Sequence, residues 1–191
     1  HHGIFPLLDT LVAQTQGKSF IQLALESTDQ RIRQDKPVSV GFLLATLRWQ
    51  HVHKAWQRRL DHGDKPIPAL FDAMDDVERL QDEQFAIPRR YSATMREIWV
   101  LQPRFEQRIG SRPYRLLEQP RFRAGYDFLA LRAAVGEVPQ SLVDWWTDFQ
   151  DAPESKRQAL LTQAREADDR PPLAKKRRRR RKPAGSAGDG E

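Results

Sequence analysis

Arginines interleaved with aromatic side chains between Leu116 and Ala133 (LLEQPRFRAGYDFLALRA) are the chemically suggestive feature of this 191-residue chain. Arg115, Arg121, Arg123 and Arg132 stand beside Tyr114, Phe122, Tyr126 and Phe128. Guanidinium groups hold phosphate oxygens through forked hydrogen bonds, and aromatic faces stack on bases, so the pattern suits a single-stranded nucleic acid. A second reading competes for the aromatics. Phe122, Tyr126, Leu129 and Ala133 follow the i, i+4, i+7, i+11 spacing of one helical face, and such a face packs into a core. Arg121, Arg123 and Arg132 fall on other faces, where phosphate is within reach.

The elements that must position these residues read as helices. Leu far outnumbers Val and Ile, and no stretch alternates apolar and polar residues as a hairpin would, so an all-α fold is expected. Ile4 to Gln14 has the pattern of a helix end, and Ser19 to Gln34 places Ile21, Leu25, Thr28 and Ile32 on one face. Ser39 is the expected N-cap of a long helix to Leu60, with a buried stripe of Phe42, Ala45, Trp49, Val52, Trp56 and Leu60, closed by Gly63. Pro66 to Pro68 open an acidic helix with Leu70, Met74, Val77 and Leu80 or Gln81 facing inward.

Pro88 starts a helix predicted to reach Ile109, with Tyr91, Met95, Ile98, Phe105 and Ile109 inside. Pro103 should kink or split it, at a cost of about 3 kcal/mol mid-helix. After a turn at Gly110, Ser111 and Pro113 come a short helix, a break at Pro120 and a second helix. Pro139 and Ser141 begin another, carrying Leu142, Trp145, Trp146 and Phe149. One of the two tryptophans is expected in the core and the other half exposed, with base stacking as the alternative. Glu154 to Asp168 is helix-compatible but has few apolar anchors beyond Leu160 and Leu161. The expected division is a helical body over 1–152, a marginal helix or linker over 153–169, and a disordered Arg/Lys-rich tail over 170–191.

Charge is unevenly placed. The formal net charge is +6, and the segment from residue 175 onward carries all of it: Lys175, Lys176, Arg177, Arg178, Arg179, Arg180, Arg181 and Lys182 against Asp189 and Glu191. The rest is neutral but polarised. Asp61 to Glu83 has 8 acidic against 2 basic residues, whereas Arg89 to Arg132 has 10 arginines against 4 acids. A field between the two segments follows if the fold holds them apart. The basic run neutralises phosphates and releases counterions without reading sequence, and similar runs serve as localisation signals or membrane-surface contacts.

Other chemistries find less support. No cysteine is present, which excludes disulfides and thiolate metal sites and fits a reducing compartment. His51 and His53 lie two apart on a helix and point to different faces, so with His62 and Asp64 they make no chelate. Asp72, Asp75, Asp76 and Glu78 lie on a helix with no strand or glycine-rich phosphate loop nearby, as a solvated acidic face would. Gly185, Ser186, Asp189 and Glu191 mimic a Gly-Ser plus carboxylate pattern in a segment that cannot fold. No Ser/His/Asp arrangement is discernible. The apolar run near Gly41 to Leu47 is too short to span a bilayer, and nothing at the start resembles a signal peptide. The chain begins His1, His2, Gly3 without a methionine, so its natural N-terminus is expected upstream.

Ala86 to Arg90 (AIPRR), Glu97 to Arg104 (EIWVLQPR) and above all Leu116 to Ala133 resemble bacterial poly(A) polymerases of the tRNA nucleotidyltransferase superfamily. Gly3 to Phe5, Ser27 to Ile32 (STDQRI) and Leu142 to Phe149 (LVDWWTDF) agree in order and spacing, and the likeness covers almost the whole chain. It departs at Gly125, where alanine is usual, and at Pro103, where an aliphatic residue is. The resemblance implies the helical RNA-binding body and basic tail of an enzyme that adds AMP from ATP to RNA 3′ ends. ATP and Mg²⁺ would be held by a catalytic head that the match does not include, so this chain is expected to be inactive alone. It further implies single-stranded RNA and the head as partners, a monomer, no membrane span, and a bacterial cytoplasmic location. Arg89 and Arg90 at a helix N-terminus, and Arg112, Arg115, Arg121 and Arg123 around two turns, are the expected phosphate ligands, with the tail. For Arg132 an ion pair with Asp127 or Glu137 competes with RNA contact. Two alternatives stay open: the body of a CCA-adding tRNA nucleotidyltransferase, and a non-catalytic nucleic-acid-binding protein with a basic arm.

Overall fold

The Ser39 hydroxyl accepts a hydrogen bond from the Phe42 amide at 3.3 Å and so caps the longest helix, as its position in the sequence predicts. The computed structural model describes residues 18–34, 38–82 and 87–168. Among them the chain forms eight helices and no strand. These are α1 (Lys18–Arg33), α2 (Val40–Asp61), α3 (Pro66–Asp82), α4 (Arg89–Phe105), α5 (Arg112–Leu117), α6 (Phe122–Ala134), α7 (Gln140–Asp151) and α8 (Glu154–Asp168). The expected Ile4 to Gln14 helix, Gln81 as a core residue and the tail lie outside the residues or side chains described.

Apolar side chains gather in two adjoining clusters. The first joins α1 to α4, around Phe20, Trp49, Trp56, Met74 and Trp99, with Phe128 of α6 reaching in. The second joins the end of α4 to α5, α6, α7 and α8 around Phe105, Phe122, Leu129, Trp146 and Phe149. α4 and α6 feed both clusters, so they form the wall that fixes one half of the molecule to the other. Each tryptophan N–H finds a partner on another element, which is why five large rings can be buried without orphaned donors. Trp99 donates to the Ala45 carbonyl at 3.2 Å, Trp56 to Pro66 at 2.9 Å, Trp146 to Phe105 at 2.9 Å and Trp145 to Leu160 at 3.3 Å. Trp49 donates to Glu137 Oε2 at 2.8 Å.

Several expectations are corrected. α4 stops at Phe105, so Pro103 sits in its last turn and the helix ends two residues after it instead of running on to Ile109. Ile109 then falls in the connection and is 37% exposed rather than inside. Leu80 is 71% exposed because the core stripe of α3 ends at Val77. Both Trp145 and Trp146 are buried, since α8 covers the face that was expected to be open. α8 is a 15-residue helix seated through Leu160, Leu161 and Ala164. It is fastened by Arg157, which donates to the Phe149 and Gln150 carbonyls at the end of α7 (3.0 and 2.7 Å), and by the Tyr114 hydroxyl, which donates to Glu154 at 2.6 Å.

Two glycines mark close approaches. A Cβ at Gly125 would lie 2.7 Å from Leu101 Cδ1 and 3.2 Å from Leu101 Cβ, so α6 is unbroken there and meets α4 where a larger residue would push it away. A Cβ at Gly41 would lie 2.6 Å from Thr94 Cγ2, which draws the start of α2 against α4 in the same way.

Candidate nucleic-acid interface

α4 presents Arg96, Val100 and Arg104 at i, i+4, i+8, on the side turned away from Met95, Ile98 and Trp99 of its core face. The α5–α6 turn, through Gln119, Pro120 and Arg121, lies across from them. Between these elements is a cleft of about 470 Å³ lined by Phe71, Arg96, Arg104 and Arg121 among others. Two smaller concavities of about 240 Å³ each extend it. One shares Pro120 and Arg121 and runs to Arg123, Phe42, Ser27 and Ser39; the other shares Arg104 and Gln119 and runs to Arg112 and Arg115. Together they make one trough bordered by six arginines: Arg96, Arg104, Arg112, Arg115, Arg121 and Arg123.

The six differ in how freely they can act. Among the described residues none of Arg104, Arg112 and Arg115 forms an ion pair, so their charge is available to a ligand. Arg121 Nε donates to Glu97 Oε2 at 2.7 Å, and Arg123 pairs with Asp127 at 3.1 Å one turn on. Exposed pairs of this kind contribute about 0–1 kcal/mol, so a phosphate can replace the carboxylate at little cost. Arg96 is committed. It donates to Asp75 at 2.8 Å and Glu78 at 2.9 Å; burial opposes its charge, but the hydrogen bond to Asp75 and both carboxylate charges more than offset this and hold its pKa above the ordinary value.

That last contact revises the charge picture. The acidic and basic segments are neighbours, joined by Arg96 between α3 and α4, so much of the expected long-range field is neutralised locally. The acidic face is also paired from α2: Arg59 binds Asp76 and reaches Asp72 at 3.6 Å, while Arg79 takes the other Asp76 oxygen. The hydrogen bond from Arg59 is the main reason the Asp76 carboxyl is held below the usual range. Committed to guanidinium groups, these carboxylates do not fit Mg²⁺. Among the described residues no group of three His, Asp or Glu side chains is arranged to hold a metal.

Of the residues expected from the sequence, Arg112, Arg115, Arg121 and Arg123 come together in the trough. Arg89 and Arg90 are exposed on the first turn of α4, about 22 Å from Arg104 along the helix at 1.5 Å per residue, and do not line it. Arg90 lies over the Tyr91 ring at 4.7 Å. Lys175 to Lys182 lie outside the described residues. Arg132 is a correction: it is 2% exposed and cannot meet a phosphate. Its Nε donates to Glu137 Oε2 at 3.1 Å and its guanidinium covers the Trp49 ring at 4.9 Å. Burial lowers its pKa, and the Glu137 charge works against that. Arg96, Arg104 and Phe71 went unnoticed in the sequence, although the first two occupy the face opposite the predicted core stripe of α4.

His53 belongs to the same interior network. It stacks on Trp49 at 5.2 Å, with Nδ1 3.6 Å from Glu137 Oε1. Burial holds its pKa below 6.5 despite the Glu137 charge, with Arg132 adding to the effect. The unfolded chain therefore takes up this proton at higher pH than the folded one, and the stabilisation is full above 6.5 and is lost as pH falls toward the depressed value. Thermal melts should shift down between about pH 7.5 and about pH 5.5, and the shift should shrink in His53→Gln. An unchanged shift in that variant would remove His53 from the explanation.

A family model described as polymerase A arginine-rich C-terminus matches residues 62–183, a span that contains α3 to α8 and the Lys175 to Lys182 run. Poly(A) polymerase I of Escherichia coli O6:H1 is 37% identical over 179 residues, covering 87% of this chain and 38% of that protein. The Salmonella typhi protein of the same name is 36% identical over 180 residues (90% and 38%), and that of Haemophilus influenzae 32% over 173 residues (88% and 38%). The chain thus spans about 38% of the length of these curated relatives.

Proposed function

Since the chain belongs to the polymerase A arginine-rich C-terminus family, we propose that it is the RNA-holding portion of a bacterial poly(A) polymerase. In this role it grips the single-stranded 3′ end of an RNA in the cytoplasm while a catalytic head, with ATP and Mg²⁺, adds AMP units. Its own residues supply position rather than bond chemistry. Arg104, Arg112 and Arg115 take up phosphates directly, Arg121 and Arg123 exchange a carboxylate for a phosphate, and the basic run raises the rate and strength of encounter. The observation that carries the reading is the trough with three arginines, Arg104, Arg112 and Arg115, that form no ion pair among the described residues and that lie inside the span matching the family. No helix among the described residues is long and apolar enough to cross a membrane.

Titration against oligo(A) and duplex DNA at two salt concentrations, with and without residues 170–191, tests the proposal. If trough and tail engage about seven phosphates, log affinity should fall with log salt at a slope of about −5. Removing the tail should flatten the slope yet leave single-stranded RNA preferred. Binding that vanishes with the tail, with duplex DNA competing equally, would reduce the body to a spacer.

A further inference from the structure

Phe71 is the one aromatic among the large hydrophobic side chains that stand exposed in the described residues, at 40%. A single exposed apolar residue ordinarily needs no explanation. Phe71 differs in where it stands. It follows Leu70 of the core stripe by one residue, which turns it about 100° away from the interior toward α4. There it lines the same cleft as Arg104 and Arg121, the first without an ion pair among the described residues and the second in an exchangeable one. One turn to either side on α3, Ile67 lines the continuation of the trough and Asp75 is tied to Arg96. The ring therefore lies in a cleft whose lining holds three arginines and Glu97, and it is carried on a helix rather than on a loop. Stacking platforms for single strands combine these parts: a positively charged track for the backbone and an aromatic face for the bases.

We infer that Phe71 is a base-stacking platform, on which a base of the bound strand lies while Arg104 and Arg121 hold the phosphates that flank it. The inference rests on the proposal that the trough holds single-stranded RNA. It adds that part of the affinity is independent of salt, because stacking releases no counterions, and that every base is accepted, because each has a π-face.

The test uses the whole chain with Phe71→Ala, Phe71→Leu and Phe71→Trp, titrated with oligo(A) carrying 2-aminopurine. Phe71→Ala should weaken binding at fixed salt by about 5- to 150-fold, the range for loss of one base–aromatic stack, while the salt slope stays unchanged. Phe71→Leu keeps an apolar side chain but no ring face and should fall close to alanine; Phe71→Trp should bind at least as tightly as the parent. Quenching of the 2-aminopurine should be lost in the first two and kept in the third. Parent-like affinity and quenching in both the alanine and leucine variants would overturn the platform. Arg104→Glu/Arg115→Glu, run alongside, separates the two ideas: if it too binds like the parent, the trough reading has failed, and if only it is impaired, the trough stands without the platform. A leucine variant as tight as the parent beside a weak alanine variant would also overturn stacking, in favour of simple apolar contact.

Discussion

The Glu137→Ala protein is expected to lose about 3–5 kcal/mol of unfolding free energy in urea, the cost of leaving a buried charge without its partner. Glu137 follows α6 and is the acceptor for three donors: Trp49 Nε1 at 2.8 Å, Gln50 Nε2 at 3.2 Å and Arg132 Nε at 3.1 Å. Without it, Arg132 retains the Trp49 and Trp56 ring faces, one long contact from Nη1 to Gln102 Oε1 at 3.4 Å, and the charge of Glu106, which acts on it more weakly than that of Glu137. None of these replaces the ion pair. Glu137→Gln keeps an acceptor oxygen and should recover part of the loss. Arg132→Met combined with Glu137→Ala should cost less than Glu137→Ala alone, since the double variant removes the stranded charge as well. A single-variant loss below about 1 kcal/mol would mean that solvent reaches the guanidinium.

For RNA binding the largest effect is expected from Arg104→Glu/Arg115→Glu. Hydrogen bonds to charged groups contribute about 1.5–3 kcal/mol each, so reversing two should lower oligo(A) affinity at low salt by about a hundredfold or more. The salt slope should become shallower by about 1.4, at about 0.7 per phosphate contact on a single strand. Because neither arginine has an ion-pair partner among the described residues, the melting temperature should hardly move. Affinity within about twofold of the parent would place the RNA elsewhere on the protein.

Helices were legible from local signals wherever those signals were strong. Ser39, Gly63, Pro88 and Pro120 mark boundaries through rules that act within a few residues, and the structure follows them. The competition over the aromatics was also decidable in principle: Phe122 and Phe128 are buried because helical spacing puts them toward the two clusters. What spacing alone could not show is which helices meet. The trough exists because Gly125 lets α6 approach Leu101 of α4, and the α5–α6 turn then faces Arg104. Arg132 illustrates the opposite failure. Its place among arginines suggested phosphate, but the deciding partners, Trp49 and Glu137, come from α2 and from the segment beyond α6. Trp145 could not be read as buried until α8, thin in apolar anchors, was seen to lie over it.

The burial of the tryptophans sets what the protein's own light can report. All five lie between 0% and 8% exposed, with Trp49, Trp56 and Trp99 in the first cluster and Trp145 and Trp146 in the second. Their intrinsic emission should sit toward the blue, resist quenching by iodide, and stay nearly constant when an RNA fills the trough. Emission then measures folding alone, and a tryptophan installed at Phe71 becomes a single solvent-facing emitter whose quenching measures occupancy against a silent background.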